Sequence, residues 1–258
     1  MNNKYKKLIF LFSILLFVIS CYAQQSNPNI ALGQPRDSDS TDDFLIFRTQ
    51  YVVSFNPDRH VANWVSWNLN SDWYGDAPRY TKFLQDPELP KNIYQAKDKD
   101  YSKSGYDKGH IVRSEERTAT EEDNITTFYY TNVMPQTPDL NRGIWLQLER
   151  YCEYLCKKQN KELYIIAGGI YHEGYNTIGN EVAVPDSCFK IIVVLDRGEG
   201  LENINNKTLV IAVVMPNQDG VRKGDWHDYT TSVDRIEWST GYNFLSDVSQ
   251  EIQDVIEN

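Results

Sequence analysis

Beyond its first twenty residues this sequence has no apolar run long enough to span a bilayer. It contains no Cys-x-x-Cys pair and no His-Glu-x-x-His, so the common zinc sites are disfavoured. Gly168-Gly169 stands outside any Gly-x-Gly-x-x-Gly or Gly-Lys-Ser/Thr context, which argues against a nucleotide-cradling loop. Cysteine is sparse: Cys152, Cys156 and Cys188 allow at most one bridge once Cys21 is set aside, so no disulfide scaffold supports the fold. Positive charge is also short, with 26 Lys and Arg against 36 Asp and Glu and a net charge of −10. That balance argues against a broad basic surface. It leaves room for anion attraction confined to a bound cation and a few basic side chains.

What is present begins with Lys4, Lys6 and Lys7 ahead of a twelve-residue run from Leu8 to Ile19, broken only by Ser13. A charged start and a short apolar run read as a bacterial export signal over residues 1–23. Two cleavage readings stay open. Val18-Ile19-Ser20-Cys21 resembles a lipobox that would leave a lipid anchor on Cys21, and Cys21-Tyr22-Ala23 suits ordinary signal peptidase. Either outcome exports the chain, to the periplasm, the medium or the envelope surface. Residues 24–43 are polar, with Asp37-Ser38-Asp39-Ser40-Thr41-Asp42-Asp43, and read as a flexible tether to a domain over 44–258.

Within that domain Phe44 to Phe47, Tyr51 to Phe55 and Val61 to Leu69 read as strands, with a turn at Asn56-Pro57-Asp58. Residues 70–108 are irregular, a length of loop that tends to be functional. Phe128 to Thr131 suits a short strand. Ile144, Trp145, Leu148, Cys152 and Leu155 follow helical spacing, so Gly143 to Lys158 is an amphipathic helix with the cysteines as core filling. Leu163 to Ala167, Phe189 to Leu195 and Leu209 to Met215 read as buried strands, and Ser246 to Glu257 as a terminal helix. Strands and helices do not alternate, which points to an α+β fold.

Three stretches carry the chemistry: Asp107-Lys108-Gly109-His110; Asn132-Val133-Met134-Pro135-Gln136; and Asn141-Arg142-Gly143-Ile144-Trp145 followed by Glu149. Their order and spacing, within a match from Tyr51 to Asn243, resemble the DNA/RNA non-specific endonuclease family, the ββα-metal nucleases that include endonuclease G. Asp-Arg-Gly-His, Ser-Asn-x-x-Pro-Gln and Asn-x-Gly-x-Trp are that family's pattern. The resemblance implies a ββα-metal (His-Me finger) fold with a mainly antiparallel sheet flanked by helices. It implies hydrolysis of DNA and RNA with His110 as general base and Asn141 as the direct protein ligand of Mg2+, or of Mn2+ or Ca2+ in its place. Glu149 would contact the ion through water, Asn132 would order the site, and Arg79 would bind phosphate. Lys108 stands where the family has arginine; it keeps the charge but loses the two-pronged grip on phosphate. Glu153 replaces a basic helix residue of some relatives.

The chemistry suits these residue types. A neutral imidazole accepts water's proton near neutral pH, and an amide oxygen suits a hard, largely hydrated cation. Asn is also a favoured helix cap, which leaves that role open for Asn141. His60, His172 and His227 lie at turns or in polar stretches and read as solvated or structural. Two other functions remain on the same scaffold: a weakly catalytic surface protein that binds nucleic acid, and a phosphodiesterase for small nucleotides.

Overall fold

The computed structural model describes residues 27–258; the expected export signal, Cys21 and the first residues of the expected tether lie outside the described residues. A seven-stranded antiparallel sheet organises the chain. Its strands are β1 (Phe44–Phe47), β2 (Val52–Asn56), β3 (Val61–Leu69), β6 (Lys161–Ile170), β9 (Ser187–Asp196), β10 (Leu209–Pro216) and β11 (Thr230–Thr231), in that spatial order. β4 (Asp107–His110) pairs with β5 (Val133–Gln136), and β7 (Thr177–Ile178) with β8 (Val182–Ala183). Among the described residues five α-helices accompany them: α1 (Asp98–Tyr101), α2 (Glu121–Thr126), α3 (Trp145–Gln159), α4 (Val233–Thr240) and α5 (Gln250–Ile256).

The period of two along the central strands sorts side chains onto two cores. On one face Val65, Trp67, Ile165, Ile192 and Val213 pack with Trp145, Leu148 and Cys152 of α3. On the other Val52, Trp64, Ile166, Ile191 and Val193 meet Val233 and Ile236 of α4, and Phe244. Burying each such side chain stabilises the fold by roughly 1.5–3 kcal/mol. β4, β5 and α3 form the expected ββα unit on the first face, so the α+β reading holds.

Three expectations change. Residues 27–43 are packed against the domain: Ile30 and Leu32 join the second core, and Asn29 bonds Asn68 N, Arg48 O and Thr49 O across the sheet. Composition hid this, because the few apolar and amide groups that dock are diluted by exposed Asp and Ser. The strand expected at Phe128 to Thr131 is displaced to β5, with a 3-10 turn at Tyr130–Asn132 ahead of it. The terminal helix begins only at Gln250, after a turn.

A buried ion pair ties the long irregular loop to the sheet. Arg48 reaches both oxygens of Asp86 at 2.9 and 3.0 Å, with Asp86 fully buried and Thr131 donating to it. Asp86→Ala would strand the guanidinium, so equilibrium unfolding in urea should show a loss of about 3–5 kcal/mol. A loss below about 1 kcal/mol would mean that water or Glu88 replaces the missing carboxylate.

Candidate active site

The hairpin β4–β5 and the start of α3 frame one open cavity of about 520 Å³. His110, Lys108 and Asp107 come from β4, Asn141 and Arg142 from the turn before α3, Glu149 from α3 itself, and Arg79 from the long loop. The cavity thus gathers five of the six expected site residues. Asn132 lies outside it and works from behind: fully buried, it accepts from Val112 N at 2.9 Å and donates to Val112 O and Thr127 O. Those bonds fix the chain as it leaves β4.

Gly109 has a steric reason. A Cβ there would run into the Gln136 side chain, which lies across the hairpin. Any larger residue would push β4 off β5 and displace His110.

His110 rests among Phe83 and Phe128, with ring centroids 5.2 and 4.8 Å away, the latter edge to face. Its Nε2 is enclosed and has no hydrogen-bond partner, whereas Nδ1 is not so enclosed. Burial, with help from the nearby Arg79 and Lys108 charges and against Glu115, pushes the ring down to about 3. The ring is therefore neutral at any ordinary pH and carries one free lone pair.

Asn141 is not a cap. It sits in a π-type turn, Leu140–Ile144, and its Nδ2 donates to Asp107 Oδ2 at 2.9 Å. Its Oδ1 accepts no hydrogen bond among the described residues. Asp107 also takes Arg142 Nε at 2.7 Å; burial alone would raise its pKa, but these two partners hold it below the usual carboxylate range. Gly143 lets this turn press against Arg222, whose Cα would lie 2.8 Å from an added Cβ.

Glu149 is 5% exposed, accepts no hydrogen bond among the described residues, and has Arg113 Nε 3.7 Å away. Burial pushes it up to about 7, reinforced by Glu116 and Glu115 and opposed by Lys190 and Arg113. An amide oxygen aimed by Asp107, a carboxylate without hydrogen bonds and an unpartnered imidazole make a donor set suited to a hard divalent cation beside a base.

Four of the five cations lining the cavity are already engaged. Arg79 pairs with Glu115 at 2.7 Å, Lys108 with Asp98, Arg142 with Asp107, and Arg113 with Glu153 at 2.9 Å and Glu115 at 3.1 Å. Arg150 lines the cavity without an ion-pair partner among the described residues. Lys108 also lies 4.4 Å from the Phe83 ring centroid. Glu153 thus grips a cation supplied by another element.

Sequence reasoning missed Arg113, Glu115 and Lys190. Lys190 is 1% exposed and sits over Trp145 and Trp67 at 4.2 and 5.4 Å, making no hydrogen bond, on the face of β9 that looks toward Glu149 and Glu116. A lysine inside the apolar run from Phe189 to Leu195 was the available signal. Arg113 and Glu115 gave none, since beyond their own pair their partners, Arg79 and Glu153, lie 36 and 40 residues away. His60, His172 and His227 lie elsewhere; His172 and His227 are exposed and bonded only to nearby Asp186 and Asp225. Cys152, Cys156 and Cys188 are free and buried, as core filling requires.

A family model described as DNA/RNA non-specific endonuclease matches residues 29–251. The chain is 44% identical to a nuclease of Nostoc sp. across 95% of both sequences. It is 32% identical to Nuclease C1 of Cunninghamella echinulata, over 81% of this chain and 85% of that one. Endonuclease G, solved in an EndoG/EndoGI complex, superposes with a TM-score of 0.73 at 25% identity, covering 86% of this chain and 92% of that one.

Proposed function

The chain belongs to the DNA/RNA non-specific endonuclease family, and from that premise we propose that it is an exported, divalent-metal-dependent endonuclease in which His110 is the general base and Asn141 the metal ligand. The observation that carries this reading is the convergence of His110, Asn141 and Glu149 on one cavity, with Asp107 turning the Asn141 amide so that its oxygen stays free. A divalent ion of the magnesium class, held there by Asn141 and flanked by Glu149, would supply positive charge against the phosphate and the leaving oxygen.

The chain's own groups do the rest. His110, neutral, takes a proton from water as the water oxygen bonds to phosphorus; the phosphorus bond to the leaving oxygen breaks, and that oxygen takes a proton from solvent. Arg79 and Lys108 trade their carboxylate partners for phosphate oxygens. Contacts limited to phosphate carry no base information, which accounts for cleavage of both DNA and RNA with little sequence preference. A protein that only binds nucleic acid fits less well, because its cations would be better left unpaired. Export rests on the charged and apolar start of the sequence, with cleavage before Cys21 or after Ala23.

Supercoiled plasmid and a long RNA should both be cut in millimolar magnesium, and neither in excess chelator. Equal cleavage with chelator would remove the metal from the mechanism; binding without cleavage in any divalent ion would leave a scaffold that has lost turnover.

A further inference from the structure

On the sheet face away from the catalytic cavity, the amino end of α4 meets the end of the chain. Asp234 N donates to Glu257 O at 3.1 Å, which brings the first turn of α4 against the last turn of α5. Asp234, Glu237 and Glu257 each place a carboxylate oxygen within 4.8 Å of the other two. No Lys, Arg or His forms an ion pair with any of them among the described residues.

Clustered carboxylates alone are common on protein surfaces. Here Glu257 adds a separate observation: it is 4% exposed, and its Oε1 is enclosed with no hydrogen-bond partner. An enclosed acceptor without a donor is costly, and this one faces two further carboxylates. It also sits at the carboxyl end of α5, where the helix dipole disfavours negative charge. Burial, then Glu237 and Asp234, push Glu257 up to about 8. Glu237 has one bond of its own, from Phe244 N at 2.7 Å, whereas the Glu257 side chain has neither a donor nor a cation beside it among the described residues.

We propose that Asp234, Glu237 and Glu257 form a second divalent-cation site, of the calcium class, that clamps α5 onto α4. Calcium takes oxygens at about 2.3–2.6 Å and accepts irregular, partly aqueous shells. Two oxygens sharing such an ion lie at most about 4.6–5.2 Å apart, and the three carboxylate oxygens meet that limit. Magnesium, at about 2.0–2.1 Å with a strict octahedron, fits the spacing less well. The role is structural: the site lies beside the core formed by Val233, Ile236 and Val248, so an ion there secures the last helix of the chain.

The test separates this site from the catalytic one by using the full chain carrying Asn141→Ala. Trp238 is 77% exposed and one turn beyond Asp234 in α4, placed to sensitise terbium luminescence. Terbium should give a saturable signal that calcium displaces. Calcium at about 100 times its Kd should raise Tm by about 5–10 °C. Glu257→Gln should abolish both effects, and Trp238→Phe should remove the luminescence but keep the calcium-dependent Tm rise. Asp234→Asn, at the exposed rim, should weaken both if Glu257→Gln fails to fold. No terbium signal and no Tm change in millimolar calcium would overturn the proposal, as would responses that survive both carboxylate substitutions.

Discussion

Replacing His110 with alanine is expected to slow phosphodiester cleavage by about 10²–10⁴-fold, the contribution typical of a positioned general base. The fold should survive, because the β4–β5 hairpin is held by backbone pairing and by Asn132, and the imidazole itself makes no hydrogen bond. Substrate affinity should change little, since Arg79, Lys108 and Arg150 remain. The pH profile sharpens the test. His110 is pushed down to about 3, so it stays neutral throughout the neutral range and cannot set the acid limb of activity. Glu149, pushed up to about 7, can. Its carboxyl is protonated below that value in the metal-free site and a bound cation lowers it, so in magnesium the rate should climb with pH to a plateau, with a midpoint below about 7, and Glu149→Gln should leave a low, flat profile. A ring so far down is a weak base, and entry of a phosphate anion beside it raises its proton affinity when it is needed. Single-turnover rates for wild type and both variants from pH 5 to 9 decide the matter. His110→Ala rates within a few-fold of wild type would take the ring out of the mechanism, and a midpoint near 6.5 that persists in Glu149→Gln would make it an ordinary histidine.

The second large effect belongs to Asn141. Removing the Asn141 amide oxygen, which accepts no hydrogen bond among the described residues, should raise the magnesium concentration needed for half-maximal rate by more than the ~10–100-fold that follows loss of a group that merely orients a ligand. Saturating magnesium should restore part of the rate, because water and substrate oxygens still complete the ion's shell. Asp107→Ala provides the internal comparison. It leaves the Asn141 oxygen in place but frees the amide to rotate, so its shift should fall within that ~10–100-fold range. Magnesium titrations of both variants, read by cleavage rate and by calorimetry, test the ordering. An Asn141→Ala protein with unchanged magnesium dependence and a lower Tm would show a residue that serves the turn before α3 and not the ion.

Much of this was legible in the sequence where one local signal sufficed. Val61 to Leu69, with Trp64 and Trp67 after the Asn56-Pro57-Asp58 turn, gives β3 to the residue, and the spacing of Trp145, Leu148, Cys152 and Leu155 gives α3. The motif residues His110, Asn141 and Glu149 were readable because their order and spacing are distinctive. Other features depend on contacts between distant segments. Asp107-Lys108-Gly109-His110 has no apolar alternation, and it is a strand only because Val133–Gln136 pairs with it. Asn29, Ile30 and Leu32 look like linker until the end of β3 that receives them exists. The same holds for Arg113, whose carboxylate partners lie 2 to 40 residues away, and for the meeting of Asp234 with Glu257.

The self-paired cations of the cleft bear on how the enzyme travels. A strongly basic groove condenses on a polyanion, releases many counterions, and slides from one cut to the next. Here a phosphate that takes Arg79 or Lys108 must evict Glu115 or Asp98, and the net charge of −10 repels the rest of the strand. The carboxylates wait beside the guanidinium and ammonium groups and reclaim them once the bond is cut. Such a cleft favours a distributive enzyme: it lets go after each scission, and its nicks scatter over many molecules instead of clustering on one.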